Sequence, residues 1–310
     1  MNKTKFVSSW VFPLGIVFMR TFPLLTQWLR SKIESNNTTW KTRKEILTYF
    51  SKKENILSDT ELKEALTYIK KRGLQMIPYR WAERYNPLDI KVYNDGDLKY
   101  VMFNNNRLYF RRGSNDAKIK LTYTALLQEQ DKRSPHSYMN DKFYIDNGSI
   151  VFDLGGVEGI FALSVIDKAS RIYIFEADES WIEPLVKTFE PWKDKVIIIN
   201  KYASNVDSDS TISVDTLLDS EDSGSVFLKL DVEGAESIVL DGAIKTLTSG
   251  KFKVKAAICT YHNQEDFDIL SKKMKDMEYD ISPSNGYMLC YTNWNLTSPY
   301  FRKGMIHAHK

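Results

Sequence analysis

Little in this chain supports a disulfide framework, a zinc site or a nucleic-acid surface. Its 310 residues include only two cysteines, Cys259 and Cys290, far from any CxxC spacing. That excludes a cysteine-built zinc site and a disulfide scaffold, and it fits two thiols in a reducing cytoplasm. One bridge between the two is the open alternative. Charge of one sign is also missing. With 43 basic and 40 acidic residues, net +3, there is no electrostatic case for a nucleic-acid partner. Uninterrupted apolar sequence is short as well. Residues 7–19 fall below the ~20 residues needed to cross a bilayer, and Arg20, Pro13 and Pro23 break the wider stretch. Residues 7–29 therefore read as a helix packed on its own domain or a partner, or as an interfacial segment in peripheral contact with a membrane. A signal peptide or anchor lacks a clearly placed cleavage site. What the chain does have is a core: 43% of its residues are hydrophobic, which excludes wholesale disorder.

Three regions follow from the patterning. Residues 1–39 are an apolar N-terminal segment and linker. Residues 40–139 are an accessory region, helical over 40–72, with Ser58 and Glu61 as a capping box and Gly73 as the stop. Short antiparallel strands near 91–93, 100–103 and 107–111 and a helix over 119–131 come next. From 140 to 310 the chain alternates. Apolar, β-branched runs at 149–154, 171–176, 195–199, 225–230 and 254–261 alternate with helix-like stretches. This predicts an α/β domain with a mainly parallel sheet.

Chemistry concentrates at the ends of those runs. Asp153 closes the first, and Gly155, Gly156 and Gly159 follow it. Glycines there let the backbone turn tightly and approach a ligand, and the next helix offers free amides. Glu158 sits within this turn, where it could bond a cofactor or cap the helix. Glu176 closes the second run and could accept hydrogen bonds from ribose hydroxyls, with Ala177 beside it. The spacing fits S-adenosylmethionine better than NAD, which would call for Gly-x-Gly-x-x-Gly. A plain strand-to-helix turn is the bland alternative. A third run ends at Asp231, with Glu233 and Glu236 close behind. Asp231 could orient the cofactor amine or act as a base. The three carboxylates could instead bind a divalent metal, or simply favour a helix N-terminus. His262 follows the fifth run and could deprotonate a hydroxyl or be structural. His136 carries the same ambiguity. His307 and His309 read as a solvated basic tail. Trp181, Trp192, Tyr261, Tyr287 and Trp294 could stack on a sugar, though most aromatics belong to a core.

Taken in order, Asp153-Leu-Gly-Gly-Val-Glu-Gly, Phe175-Glu-Ala-Asp, Val214-Asp-Thr-Leu-Leu, Lys229-Leu-Asp-Val-Glu-Gly-Ala-Glu and Thr260-Tyr-His resemble the FkbM family of methyltransferases. The resemblance spans roughly 140–285, and its Lys229 stretch is the most specific part. It implies a Rossmann-like class I methyltransferase sheet with helices on both faces. It also implies S-adenosylmethionine as cofactor, held at Asp153, Gly155, Gly156, Glu158, Gly159, Glu176 and Ala177. Methylation of a hydroxyl on a sugar, glycan or natural product is the implied reaction, with Asp231 and His262 as catalytic candidates. No metal ligand is assigned. This sequence departs from the family at Thr260, where an acid is usual, and at Gly156, where alanine is common and the change looks harmless. The segment Glu129 to Tyr138 resembles one that precedes the domain in some members and could reach over the cofactor. The accessory strands could form a substrate or oligomerisation surface. The competing expectation is a catalytically silent module that serves as a scaffold or partner in bacterial polysaccharide biosynthesis.

Overall fold

A computed structural model describes residues 39–53, 58–291 and 296–310. The apolar segment 7–29, most of the linker and Trp294 lie outside the described residues. A helix over residues 39–51 is followed by α1 (Thr60–Arg72). The cap of α1 is Asp59, whose side chain accepts from Leu62 N at 2.9 Å, one residue later than the capping box expected. Gly73 ends the helix at φ +100°, as the sequence suggests. Strands β1 (Tyr93–Asp95), β2 (Leu98–Phe103) and β3 (Asn106–Phe110) form a three-stranded antiparallel sheet. Helix α2 (Asp116–Glu129) follows, capped by Asn115.

The main sheet contains β4 (Ile150–Leu154), β5 (Arg171–Phe175), β6 (Val196–Ile199), β7 (Gly224–Leu230), β8 (Phe252–Cys259), β9 (Asp280–Pro283) and β10 (Met305–His309). Their order is β9-β10-β8-β7-β4-β5-β6. All neighbours are parallel except β10, which runs antiparallel to both β8 and β9. This is the Rossmann-like arrangement of class I methyltransferases. The chain builds β5 and β6 on one side of β4, then returns to build β7 on the other. The order reverses between β4 and β7, and open α/β sheets bind ligands at the carboxyl ends beside such a point.

The strands are continuous apolar runs because both faces are covered. Alternate residues divide between the faces. Val151, Ile172, Ile174, Phe227, Ala257 and Cys259 pack on one face. Phe152, Leu154, Tyr173, Phe175, Leu228, Leu230, Ala256 and Ile258 pack on the other. The first face also holds Val101, Leu108, Phe110 and Tyr123, so the accessory sheet shares its core with the main one. Tyr109 N donates to Thr188 Oγ1 at 3.1 Å, and Arg112 grips Glu183 with two bonds of 2.6 Å. A third core joins Ile46, Phe50, Ala65, Tyr68 and Ile69 to Leu289 and Phe301. The first helices thus dock on the segment between β9 and β10.

Two expectations change here. His307 is not in a solvated tail; it is 1% exposed in β10, between β8 and β9. Its Nε2 lies 2.9 Å from the Ser137 carbonyl and its Nδ1 3.2 Å from Asn140 Nδ2. A basic stretch at a chain end says nothing about an inserted antiparallel strand, so the sequence concealed this. Both cysteines are buried free thiols, which removes the open disulfide alternative. Among the described residues, no helix is long and apolar enough to cross a membrane.

Candidate functional site

The glycine turn forms where β4 ends. Gly155 N and Gly156 N both donate to the Phe175 carbonyl, at 3.1 and 2.8 Å. This clamps the turn to the end of β5. At Gly155 φ is +83°, and a Cβ would stand 2.0 Å from the Asp231 carbonyl oxygen. Only glycine allows β4 and β7 to approach this closely. Gly156 is not interchangeable with alanine in this chain, because a Cβ there would meet Ile174 Cγ2 at 2.3 Å. Gly159 takes φ +78° just before α3 (Ile160–Ser164). Val157 has φ +45°, an uncommon conformation for a β-branched residue and therefore strained.

That strain has a visible counterpart. Val157 N donates to Glu176 Oε2 at 2.9 Å, while Glu176 Oε1 accepts from Asp178 N at 2.8 Å. Glu176 is buried at the end of β5 and bridges the first turn to the second. Asn200 Nδ2 donates to the carbonyls of Glu176 and Ala177, at 2.8 and 3.2 Å. Asp178 is occupied by Ser180 N and Arg111. Glu158 is 6% exposed, and burial pushes its carboxyl up to about 7. These residues fit a nucleoside cofactor. Glu158 and Glu176 follow β4 and β5 at their carboxyl ends, beside the reversal in strand order, and the Glu129 carboxylate helps raise Glu158, so a cationic ligand there would favour its ionised form.

Asp153 is fully buried on the same face of β4 as Val151, and its Oδ2 accepts from Ala162 N at 3.3 Å in the helix that follows the turn. Its register partner across β4 and β7 is Lys229, and their charges meet at 2.9 Å. Lys229 also donates to the Gly155 carbonyl, and the Tyr138 ring lies 5.2 Å from its ammonium. Despite burial, the carboxylates of Asp153 and Asp231 hold Lys229 protonated. Asp153 thus ties the turn together through Lys229. The most specific motif of the sequence begins at Lys229, yet nothing in the motif alone revealed this bond.

Asp231 is the hub of the second half. Tyr138 Oη donates to its Oδ2 at 2.7 Å, and Tyr261 Oη to its Oδ1 at 3.0 Å. His136 Nε2 stands 3.5 Å from Oδ2, and His262 Nε2 3.6 Å from Oδ1. Although burial opposes ionisation, His136, Lys229 and Tyr138 hold this carboxylate well below the usual range. Burial opposes protonation of His262, but Glu236, Asp231 and Glu233 outweigh it and raise the imidazole above its ordinary value. The segment over the site is anchored rather than loose: Ser284 Oγ donates to the Pro135 carbonyl at 2.5 Å, and Ser137 is held by His307. Thr260 Oγ1 donates to the Lys303 carbonyl at 2.7 Å, turned away from the hub. Sequence reasoning did not pick out Tyr138 or Lys229, and it placed no weight on Tyr261.

Other candidates belong elsewhere. Trp181 is buried under Arg111, Trp192 packs on Phe189, and Tyr287 donates to Asp59 at 2.5 Å. A cavity of about 600 Å³ lies beside α3, lined by Leu127, Ser137, Asn140, Ile160 and Ser164 among others, and none of Gly155, Glu176 or Asp231 borders it. Asp231, Glu236 and His262 each bring one donor atom within 4.8 Å of the others. Oε1 of Glu236 is already shared by two backbone amides.

Residues 199–281 match the family model for the methyltransferase FkbM domain. The match supports a methyltransferase of the FkbM type. It covers Asp231, Glu233, Glu236 and His262, and it begins after the glycine turn and Glu176. No curated protein matches the chain. Among solved structures, the methyltransferase FkbM from Methylobacillus flagellatus KT is 18% identical over 62% of this chain and 52% of its own, with a TM-score of 0.45. The chain thus spans about half the length of that protein. Precorrin-6y C5,15-methyltransferase from Geobacter metallireducens GS-15 is 14% identical over 55% of this chain and 84% of its own, with a TM-score of 0.35. A Streptococcus mutans structure in complex with SAH is 17% identical over 53% of this chain and 90% of its own, with a TM-score of 0.32. The class I methyltransferase fold implies use of S-adenosylmethionine.

Proposed function

We propose that this methyltransferase acts on a hydroxyl of a sugar, glycan or natural product, with His262 accepting the hydroxyl proton. The observation that carries the reading is the pairing of His262 Nε2 with Asp231 at 3.6 Å, on the strand ends next to the glycine turn. Bound S-adenosylmethionine supplies an electrophilic methyl group, whose carbon–sulfur bond breaks with the electrons kept by sulfur. The chain's own work is alignment and proton transfer. Glu176 would hold the ribose, the turn from Gly155 to Gly159 would receive the rest of the cofactor, and Glu158 would face its positive charge. Against the effect of burial, His136, Lys229 and Tyr138 hold Asp231 below the usual carboxylate range, which makes it the weaker base. Its part is to orient Tyr138, Tyr261 and the two imidazoles. In this reading His262, on the strand end after β8, takes the proton.

Calorimetry with S-adenosylmethionine and S-adenosylhomocysteine tests the cofactor half. Glu176→Ala should weaken binding at least tenfold, about 1.4 kcal/mol. Because the change also strands two backbone amides and lowers the unfolding midpoint, binding is measured well below the variant's own transition, with native circular dichroism as the control for folding. Absence of binding by folded wild-type protein overturns the reading and favours a silent scaffold. A screen of sugar hydroxyl acceptors, with and without chelator, tests the rest.

A further inference from the structure

We propose that Glu236 and His262 form a carboxylate–imidazole dyad, in which Glu236 is a positioning residue that holds the Nδ1 proton and so presents Nε2 as the proton acceptor. The inference deepens the reading of His262 as the base and rests on it for its catalytic meaning.

Glu236 opens helix α4 (Glu236–Asp241). A carboxylate placed there only for the helix dipole would sit in solvent, as the neighbouring Glu233 does with its side chain 84% exposed. Glu236 is instead 1% exposed. A buried carboxylate is tolerated only when its oxygens are bonded. Its Oε1 accepts from Val232 N at 3.0 Å and Gly234 N at 3.4 Å, and stands 3.1 Å from His262 Nδ1. The loop from Asp231 to Glu236 therefore folds around this carboxylate and brings it to one side of the ring.

The other side of the ring faces the carboxylates that follow β7. Nε2 lies 3.6 Å from Asp231 Oδ1 and 3.7 Å from Glu233 Oε2. The ring is fixed between these two sides. Arg302 Nη1 donates to the carbonyls of Tyr261 and His262, at 2.6 and 2.9 Å, which sets the backbone. The Tyr261 ring centroid is 4.2 Å from that of the imidazole. Among the described residues, the charged and titratable groups around His262 are Asp231 and Glu233 after β7, Glu236 on α4, Tyr261 after β8, and Arg302 before β10. His136 and Tyr138 reach it only through Asp231. Among the described residues, Glu236 supplies the carboxylate at Nδ1.

A carboxylate fixed on Nδ1 selects one neutral tautomer, with the proton on Nδ1 and the lone pair on Nε2. When a hydroxyl gives up its proton, that proton goes to Nε2 and the imidazolium charge is shared with Glu236. The proton later returns to solvent from Nε2, so the dyad is unchanged over a cycle. Burial opposes the imidazolium, and the surrounding carboxylates more than offset it.

The test is long-range ¹⁵N correlation spectroscopy of the histidines across a pH titration. It uses the full-length wild type, Glu236→Gln and Glu233→Gln, with His262 assigned by its loss in His262→Gln. Neutral wild-type His262 should carry its proton on Nδ1. The Glu236→Gln change keeps an oxygen for the two amides and should lower the proton affinity of His262 about tenfold or more, one pKa unit, whereas Glu233→Gln should change it several-fold less. An Nε2–H tautomer in the wild type overturns the proposal, and that measurement needs no variant to fold. So does a His262 titration unmoved by Glu236→Gln. Calorimetry with S-adenosylmethionine on the same samples separates the two readings. An Nδ1–H tautomer without cofactor binding leaves the dyad standing and removes the methyltransferase reading, while an Nε2–H tautomer with cofactor binding does the reverse.

Discussion

Replacing Lys229 by methionine should be among the most damaging single changes to the sheet. The ammonium lies 2.9 Å from Asp153, and the two side chains are 4% and 0% exposed. At an effective dielectric of about 20 the direct attraction is about 6 kcal/mol, much of it offset by the desolvation of both ions. Methionine fills nearly the same volume, so the loss is electrostatic rather than a cavity. It strands a buried carboxylate and deprives the Gly155 carbonyl of a donor. Breaking one half of such a pair costs about 3–5 kcal/mol, a large share of the ~5–15 kcal/mol that holds a typical protein folded. Urea unfolding followed by circular dichroism should show that loss, with a fall in the melting midpoint on the order of 10 °C. The double variant Asp153→Leu/Lys229→Met removes both charges and should recover about 2 kcal/mol or more relative to the sum of the single changes. A loss below about 1 kcal/mol for Lys229→Met, or additive single variants, would refute the idea that this pair pins the turn.

The remaining expectations concern the turn, the buried acid and the thiols. Gly155→Ala should destabilise by about 3 kcal/mol or more, because the added Cβ meets a backbone oxygen in a left-handed conformation. Gly156→Ala should cost less, since it meets only a side-chain methyl; equal unfolding midpoints for the two variants would contradict this. Glu158 is buried with its carboxyl pushed from 4.5 to about 7. The folded state therefore binds more protons than the unfolded state between these values, and stability should fall as pH rises across that window. Glu158→Gln should flatten the fall by up to about 3 kcal/mol, and an unchanged pH profile in urea titrations would count against it. Burial raises the Cys259 thiol well above its ordinary value and pushes Cys290 up to about 11. Neither should react with a thiol reagent at pH 8 until the protein unfolds, and rapid native labelling would contradict the described packing.

Periodicity made the parallel half of the sheet readable. Five apolar runs of strand length were visible, and each falls on a strand of the main sheet. The ends of those runs also marked the site, because chain reversals need glycine and strand ends carry the polar groups. The remaining two strands were hidden. β9 is short and polar, and β10 carries histidines that look like an exposed tail. Their burial follows from where β10 inserts, between β8 and β9, which no local pattern encodes.

At the site the division is similar. Residue types and spacing by themselves determined the tight turn at Gly155, the acid at Glu176 and the family to which the segment around Asp231 is similar. Those are local matters of backbone freedom and strand termination. Partnerships across long separations were decided only by the tertiary structure. Asp153 meets Lys229 because parallel strands 76 positions apart, with β5 and β6 built between them, fall in register, which no local pattern encodes. Tyr138 and Tyr261 converge on Asp231 from opposite directions along the chain. Glu236 became a partner of His262 instead of a solvated helix cap because the loop before α4 turns it inward, where a carboxylate must find donors.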